Sequence, residues 1–346
     1  MARVLKILNV AYPLAPVRPA TAGGAEQVVA MLDRALTAAG HHSFVVACEG
    51  SQVTGTLIAA NRPAGPLTNS VAHKARDAYR HIVAEAVQRH QPDVIHLHGI
   101  DFLSYLPPEG IPAVATLHLP PSWYPPAVFS LERPKTWLHC VSSAQRRDCP
   151  ESAILLSTVE NGVPDNSFAR PIRKQGYAVT MGRICPEKGT DTAIRAAKAA
   201  GIPILIAGEV FPYEAHLRYF AEQVKPLLNH QCARFIGSVG PRAKRRLLSA
   251  AKCVLIPSNV AETSSLVAME AAMCGTPVIA FAMGALSEIV EDGKTGFLVS
   301  TEKEMAEAIQ NCSAISPSDC RKVALERFSE QKTQSKYLEM YQTVAQ

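Results

Sequence analysis

Hydrophobic and polar positions along the chain form two alternating patterns, short β-branched runs and longer alanine-rich stretches with helical spacing. This alternation is typical of βαβ units, in which helices cover both faces of a parallel sheet. In the first half, the runs predict strands at 4–10, 43–48, 93–97, 113–117 and 137–141. The helical spacing predicts one helix over 25–38, which Gly40 ends, and another over 70–89.

The same pattern resumes after 164–171, a segment that loses periodicity and contains two prolines, as interdomain linkers do. Strands are predicted at 177–181, 202–207, 233–236, 253–256, 278–281 and 297–299, and helices near 191–200, 241–251, 265–274 and 302–312. Thr190 or Asp191 is the expected N-cap of the first of these helices. We therefore expect two α/β domains with a boundary near residue 165.

Composition agrees with two folded domains. The 346 residues suit two domains of about 150 residues each. With 47% hydrophobic and 19% charged residues, the chain has enough apolar material for two cores and no compositional sign of disorder. No apolar run approaches the roughly 18 residues of a membrane-spanning helix, and no signal peptide is recognisable. A soluble, cytoplasmic protein is expected.

Charge and cysteine content exclude several classes of function. The nine cysteines are scattered without a C-x-x-C pair, which indicates reduced thiols rather than a metal or redox motif. The net charge of +5 is modest, and aromatic residues are not interleaved with basic ones, so nucleic acid is not an expected partner. The basic stretches 73–89 and 244–246 are interpreted as solvated helix faces, with contact to an anionic membrane surface or to an anionic acceptor as the alternative.

In consecutive open α/β sheets, ligands bind beyond the carboxyl ends of the strands, so the loops after strands are informative. The first strand is followed by Gly23 and Gly24 at a predicted helix start. Glycines let backbone amides approach an anion, and a helix N-terminus favours negative charge. A plain turn explains the same pair of residues.

The second domain begins with a comparable loop, Met181-Gly-Arg-Ile-Cys-Pro-Glu-Lys-Gly189, between a strand and a helix. Arg183 offers a planar fork and Lys188 a compact charge, which together suit a diphosphate. A solvated loop is the alternative interpretation.

Two glutamates follow the strand at 253–256. Glu262 lies in the loop, and Glu270 lies on a helix of otherwise apolar residues. A carboxylate on such a helix needs partners, because an unpaired buried charge is costly. The vicinal hydroxyls of a ribose would serve, and so would a structural arginine.

These motifs together make the chain resemble family 4 of the retaining glycosyltransferases. The resemblance extends over essentially the full length. It rests on the E-x7-E pair Glu262 and Glu270, the glycine pair, the G-R-x-x-x-E-K-G loop at 182–189, Asn-Gly-Val at 161–163, and A-x-x-C-G-T-P-V-I-A-F at 271–281. It implies the GT-B fold, two Rossmann-like α/β/α domains facing each other across a cleft. Residues 1–165 with a returning terminal segment 330–346 would form the acceptor side, and 166–329 the nucleotide-sugar donor side.

The resemblance also implies roles for individual residues. Glu270 would bind the nucleotide ribose, and Arg183 with Lys188 would hold the diphosphate and stabilise its leaving charge. Gly23 and Gly24 would contact phosphate through their backbone, and Glu262 would lie near the donor sugar. The implied donor-binding residues also include the segment between the two glutamates, Ser264, Ser265, Leu266 and Val267.

One position departs from the family pattern. The family usually has Phe-Gly where this chain has Ser264-Ser265. Glycine accepts positive φ and close backbone approach more readily than serine, so a reshaped sugar-facing loop is expected. The nucleotide base, the donor sugar, the acceptor and the oligomeric state are not determined by the sequence.

Three histidines end predicted strands of the first domain. His96 and His98 fall on one face of a strand, and His118 ends the next. No carboxylates accompany them at ligand spacing, so a metal site is not expected here. The resemblance makes His118 a contact to donor sugar or acceptor, whereas His96 is interpreted as structural.

The expected function is therefore metal-independent transfer of a sugar, with retention, from a nucleoside-diphosphate sugar to a small-molecule or glycolipid acceptor, including sugars and natural products. No cofactor is expected, and no D-x-D metal motif occurs. The alternatives are a nucleotide-sugar epimerase or hydrolase on the same scaffold, and a non-catalytic nucleotide-sugar-binding partner protein.

Overall fold

The computed structural model describes residues 3–19, 21–62, 65–152, 154–165 and 172–346. It divides into two compact units, one of Met1–Glu160 with Lys332–Gln346 and the other of Asn161–Gln331. The predicted linker at 164–171 falls largely outside the described residues. Within the described residues, no helix is both long and apolar enough to cross a bilayer.

The first unit contains one parallel sheet of six strands in the order β3-β2-β1-β4-β5-β6. Its strands are β1 Lys6–Val10, β2 His42–Cys48, β3 Thr56–Ala60, β4 Val94–Leu97, β5 Ala113–Leu117 and β6 Thr136–Cys140. Its helices are α1 Gly24–Ala38, α2 Asn69–His90, α3 Ser143–Asp148 and, from the end of the chain, α11 Glu330–Val344.

The second unit repeats this topology in the order β12-β11-β10-β7-β8-β9. Its strands are β7 Ala178–Arg183, β8 Ile204–Glu209, β9 Ala233–Gly237, β10 Cys253–Ile256, β11 Val278–Phe281 and β12 Gly296–Val299. Its helices are α4 Thr190–Ala199, α5 Glu214–Tyr219, α6 Pro241–Ala250, α7 Leu266–Met273, α8 Leu286–Ile289, α9 Glu302–Asn311 and α10 Pro317–Arg327.

Both sheets are buried on their two faces, as the apolar runs predicted. In β1, Leu8 and Val10 belong to one hydrophobic cluster, while Ile7 belongs to the cluster on the opposite face. In β10, Val254 and Leu255 divide in the same way between two clusters. Successive strand residues point to opposite faces, so a strand that is covered on both sides must be apolar throughout.

Strand order reverses between β1 and β4 in the first sheet and between β7 and β10 in the second. In an open parallel sheet, the loops that leave such neighbouring strands diverge to opposite faces and leave a crevice at the carboxyl ends. The glycine pair follows β1, and the Arg183 and Glu262 loops follow β7 and β10. The topology therefore brings the predicted functional loops of each unit to its own reversal point.

The predicted cap of α4 is wrong. Neither Thr190 nor Asp191 is the N-cap, which is Gly189 with φ 62° and no side-chain hydrogen bond. A Cβ at Gly189 would lie 2.3 Å from the carbonyl oxygen of Pro257, which follows β10. Only glycine combines this left-handed backbone with so close an approach, so it allows the β7 loop to pack on the β10 loop.

Candidate functional site

The loops after β7 and β10 are joined by hydrogen bonds in the second unit. The backbone N–H of Asn259 donates to the carbonyl oxygen of Glu187 at 2.8 Å, and its side-chain amide donates to that of Pro186 at 3.1 Å. These bonds hold the Arg183–Lys188 loop against the segment that contains Glu262.

Lys188 and Glu262 form an ion pair, with 2.5 Å between Nζ and Oε1. The hydroxyl of Ser258 donates to the same carboxylate oxygen. Glu262 is 7% exposed and Lys188 29%, so the carboxylate is held inside while the ammonium reaches the surface. The structure therefore brings together two predicted site residues that lie 74 positions apart.

Arg183 is the last residue of β7 and is partly buried. Its positive charge interacts electrostatically with Cys185 and Glu187 in the same loop and with His216 on α5. Among the described residues it forms no ion pair with a carboxylate. A planar guanidinium in this position is available for bidentate contact with an anion.

Glu270 lies on α7 and is paired with Lys244 of α6, with 2.5 Å between Oε1 and Nζ. Both side chains are well buried, at 5% and 14% exposure. The second carboxylate oxygen, Oε2, is buried and has no hydrogen-bond partner among the described residues. Lysine thus takes the structural role expected of an arginine, and one carboxylate oxygen is left without a partner.

The N-terminus of α7 lies between the two glutamates. Ser265 is the N-cap, with φ −128°, and its hydroxyl accepts a hydrogen bond from the Ala268 N–H at 3.4 Å. The N–H groups of Leu266 and Val267 are in the first turn, where a helix offers unpaired donors. The hydroxyl of Ser264 is buried and without a partner in the described part of the chain. Neither serine has positive φ, so this backbone is not strained by the loss of glycine.

In the first unit, Gly23 is the N-cap of α1 and Gly24 its first residue. A Cβ at Gly23 would lie 1.8 Å from the Oε2 atom of Glu26. The missing side chain therefore makes room for the Glu26 carboxylate, which is 7% exposed. An acidic side chain in the first turn already interacts favourably with the helix dipole, so a phosphate that bound here would meet a negative neighbour.

His118 follows β5, and its Nε2 lies 3.0 Å from the Nδ1 of His98. His98 Nε2 lies 3.4 Å from the Oδ1 of Asn9, which can only accept a hydrogen bond. His98 therefore donates through its Nε2–H, and its Nδ1 accepts from the Nε2–H of His118. The lone pair of the neutral His118 ring is then on Nδ1. Burial and nearby His139 lower the pKa of His118 to about 3, so the ring is neutral near neutral pH.

His96 belongs to a separate buried chain of hydrogen bonds. His139 Nδ1 donates to the carbonyl oxygen of Cys140 at 3.2 Å, so its Nε2 accepts from the Thr116 hydroxyl at 2.6 Å. Thr116 in turn accepts from His96 Nε2, and His96 Nδ1 accepts from the hydroxyl of Tyr341, both at 2.6 Å. This chain fastens α11 to the sheet of the first unit. His139, Thr116 and Tyr341 carried no signal in the sequence, because their partners come from distant segments.

Two family models match the chain. Residues 22–164 match the model described as Glycosyltransferase Family 4, and residues 164–323 match the one described as Glycosyl transferases group 1. The chain belongs to family 4 of the glycosyltransferases. It is thus a transferase by family, and the fold inferred from the resemblance, two Rossmann-like units of the GT-B type, is confirmed.

Curated relatives match this family 4 chain over part of their length. The D-inositol 3-phosphate glycosyltransferase of Mycobacteroides abscessus is 36% identical over 135 residues, which are 37% of this chain and 30% of that protein. The enzyme of the same name from Mycolicibacterium smegmatis is 37% identical over 129 residues, covering 36% and 29%. The match thus spans less than a third of these relatives.

Solved structures resemble the family 4 chain over nearly its whole length. AviGT4, a glycosyltransferase involved in avilamycin A biosynthesis, has a TM-score of 0.73 at 23% identity and covers 99% of this chain and 98% of its own. Sucrose-phosphate synthase of Thermosynechococcus elongatus reaches 0.77 at 19%, covering 98% and 99%. Anabaena HepE, solved with UDP and glucose, reaches 0.74 at 19%, covering 97% and 99%. At these identities the likeness concerns the fold.

Proposed function

We propose that this protein transfers a sugar, with retention and without a metal ion, from a nucleoside-diphosphate sugar to a small-molecule or glycolipid acceptor. The observation that supports the proposal is the placement of two cations, Arg183 and Lys188, after β7, with Glu270 and its unpartnered oxygen on α7, which follows the neighbouring strand β10. Two cations suit a diphosphate, and an unpaired carboxylate oxygen suits a ribose hydroxyl.

The donor would bind to the second unit in an extended arrangement. Ribose hydroxyls donate to Glu270 Oε2, and the phosphates accept from Arg183, Lys188 and the N–H groups of Leu266 and Val267. Negative charge on the departing diphosphate grows as the glycosidic bond breaks. These fixed donors then stabilise the transition state more than the ground state, which is the source of catalysis.

We assign the donor side to residues 166–329 and the acceptor side to 1–165 with 330–346. HepE was solved with UDP and glucose, which makes UDP-sugars the first donors to test. The curated relatives are named for D-inositol 3-phosphate, so phosphorylated polyols belong among the candidate acceptors.

Retention would come from attack on the face that the leaving group occupies. Glu262 is held by Lys188 and Ser258, so it does not act as a free nucleophile for a double displacement. In the proposed step, the acceptor oxygen bonds to the anomeric carbon as the sugar–phosphate bond breaks. The departing phosphate takes the acceptor proton.

Nucleotide choice can be tested before the acceptor is known. A nucleotide at 100 times its dissociation constant adds roughly 2.7 kcal/mol to native stability, which raises the melting temperature. A thermal-shift panel of UDP, GDP, dTDP and ADP therefore identifies the base. Product analysis with and without acceptors then separates transfer from hydrolysis or epimerisation, and absence of any turnover with the matching donors would contradict the proposal.

We expect turnover to survive EDTA, because Arg183, Lys188 and the α7 N-terminus supply the positive charge that a metal provides in other transferases. Initial rates are measured on the purified protein at saturating donor, before and after chelation, so that a change in donor affinity alone does not alter them. Loss of turnover that magnesium or manganese restores would contradict metal independence.

We expect His118→Ala and Glu262→Gln to lower turnover more than affinity for the free nucleotide, because both side chains are assigned to the sugar. Glutamine keeps an oxygen that can accept from Lys188 and Ser258, so the loop should hold its shape. Turnover kinetics and calorimetric nucleotide binding are compared for each variant, with His81→Ala on the exposed face of α2 as the control. Equal losses in both quantities would place these residues in the nucleotide pocket instead.

A further inference from the structure

Three potential metal ligands of different kinds lie together in the second unit. Cys185 and Glu187 belong to the loop after β7, and His216 belongs to α5, which follows β8. One ligand atom from each residue lies within 4.8 Å of the other two. Among the described residues, this is the single group of three that could hold a metal ion.

The surroundings of the cluster indicate a built site. Cys185 is fully buried, and His216 is only 8% exposed. The Nδ1 atom of His216 is buried and has no hydrogen-bond partner among the described residues, which is a costly state for a polar atom. The ring of Tyr213 packs edge-on against the imidazole, with 5.1 Å between centroids, and limits its rotation.

From this geometry we infer that Cys185, Glu187 and His216 form a zinc site. A thiolate, an imidazole and a carboxylate are the three ligand types that Zn²⁺ prefers. In tetrahedral coordination these ligand atoms lie roughly 3.3–3.6 Å apart. Their present separations do not exceed 4.8 Å, so a contraction of at most about 1.5 Å is sufficient. The fourth position would hold water.

Binding proceeds by exchange of a proton for the metal. The Cys185 thiol donates to the carbonyl oxygen of Arg183 at 3.8 Å and, like other thiols, has to lose its proton to bind a metal. The buried Nδ1 atom of His216 has no hydrogen-bond partner among the described residues. Zn²⁺ therefore forms the sulfur bond while the thiol proton leaves to the buffer. The thiolate and carboxylate offset the charge of the ion, while Arg183 and Lys188 nearby oppose it.

The metal should also act on the neighbouring diphosphate loop, a consequence that rests on the proposed function. Exchange of one proton for Zn²⁺ adds one positive charge beside Arg183. A more positive loop favours a diphosphate, and by linkage the diphosphate favours zinc to the same degree.

Calorimetric titration of the full chain with Zn²⁺ alone tests the site. We expect one equivalent to bind, with proton release that appears as a dependence of the heat on the buffer. Cys185→Ser and His216→Gln each remove one ligand, so zinc affinity should fall by more than 10- to 100-fold. That range is roughly the loss caused by mutating residues that only hydrogen-bond to a ligand. The control is Cys232→Ser, which removes an exposed cysteine of the same unit and should leave this affinity unchanged.

Co²⁺ provides an independent readout, because a bound thiolate gives it a charge-transfer absorption that Cys185→Ser abolishes. His216→Gln keeps the buried thiol and tests the site if the serine variant does not fold. Absence of stoichiometric binding, or binding that survives both substitutions, overturns the zinc site. If zinc binds but nucleoside-diphosphate affinity does not change, the zinc site is supported. The proposed position of the diphosphate beside Arg183 is then contradicted.

Discussion

Arg183→Ala is expected to lower kcat by about 100- to 1,000-fold, the loss that follows removal of one preorganised donor from a developing negative charge. Nucleotide affinity should fall by less, because the charge on the bridging oxygen is greatest in the transition state. The measurement is steady-state turnover with the donor and acceptor that the nucleotide panel identifies, together with calorimetric binding of the free nucleotide.

The structure gives this expectation its physical basis. Arg183 ends β7 at the reversal point of the sheet, and among the described residues no carboxylate is paired with it. Lys188, by contrast, already shares the Glu262 carboxylate, so its charge is partly compensated. We therefore expect Arg183 to contribute the larger share of the stabilisation. Lys188→Arg should have lower turnover than the unmodified protein, since a planar fork cannot replace a compact ammonium between Glu262 and a phosphate.

Arg234→Ala serves as the matched control, because it removes an exposed arginine from β9 of the same sheet. It should leave both kcat and nucleotide affinity near those of the unmodified protein. A folded Arg183→Ala protein with nearly normal kcat would show that the diphosphate binds elsewhere, and the proposed site would have to be abandoned.

Glu270→Gln is expected to change two quantities at once. The free energy of unfolding should fall by about 3–5 kcal/mol, because the substitution leaves the buried ammonium of Lys244 without its charged partner. Nucleotide affinity should fall roughly 10- to 150-fold, since hydrogen bonds to a charged group contribute about 1.5–3 kcal/mol. Denaturant unfolding measures the first effect, and calorimetry with the preferred nucleoside diphosphate measures the second.

Variants of the partner separate these two effects. Lys244→Met should destabilise the protein while the Glu270 carboxylate, now relieved of its ion pair, still binds the ribose. The double variant Glu270→Leu with Lys244→Met should recover much of the stability, as apolar replacement of buried ion pairs often does, yet remain defective in nucleotide binding. If Glu270→Gln loses stability but binds nucleotide normally, Glu270 is only the structural partner of Lys244.

The two-unit α/β architecture could be predicted from the pattern of apolar residues along the chain. Short β-branched runs alternate with helical stretches as in parallel sheets, and eleven of the twelve observed strands had been predicted within a few residues. The exception, β3, lies at the edge of its sheet, where partial exposure weakens the apolar pattern. Short helices such as α3 and α5 were also missed, because six residues are too few to establish a helical period.

Local motifs likewise placed the candidate residues in loops after strands, because backbone requirements for turns and helix starts are encoded by neighbouring residues. Even so, the predicted N-cap of α4 was wrong. Gly189 took the capping position because its contact with Pro257 comes from another strand.

The hydrogen-bond and ion-pair partners of the candidate residues, by contrast, depend on the packing of distant segments. The order of strands sets β10 beside β7 and so joins Lys188 to Glu262, 74 residues later. It also joins Glu270 to Lys244, and His96 to Tyr341 of the terminal helix. The sequence gives the chemical type of each side chain. The group that stabilises its charge is the one that folding brings within hydrogen-bonding distance. That choice depends on long-range topology, to which neighbouring residues contribute almost nothing.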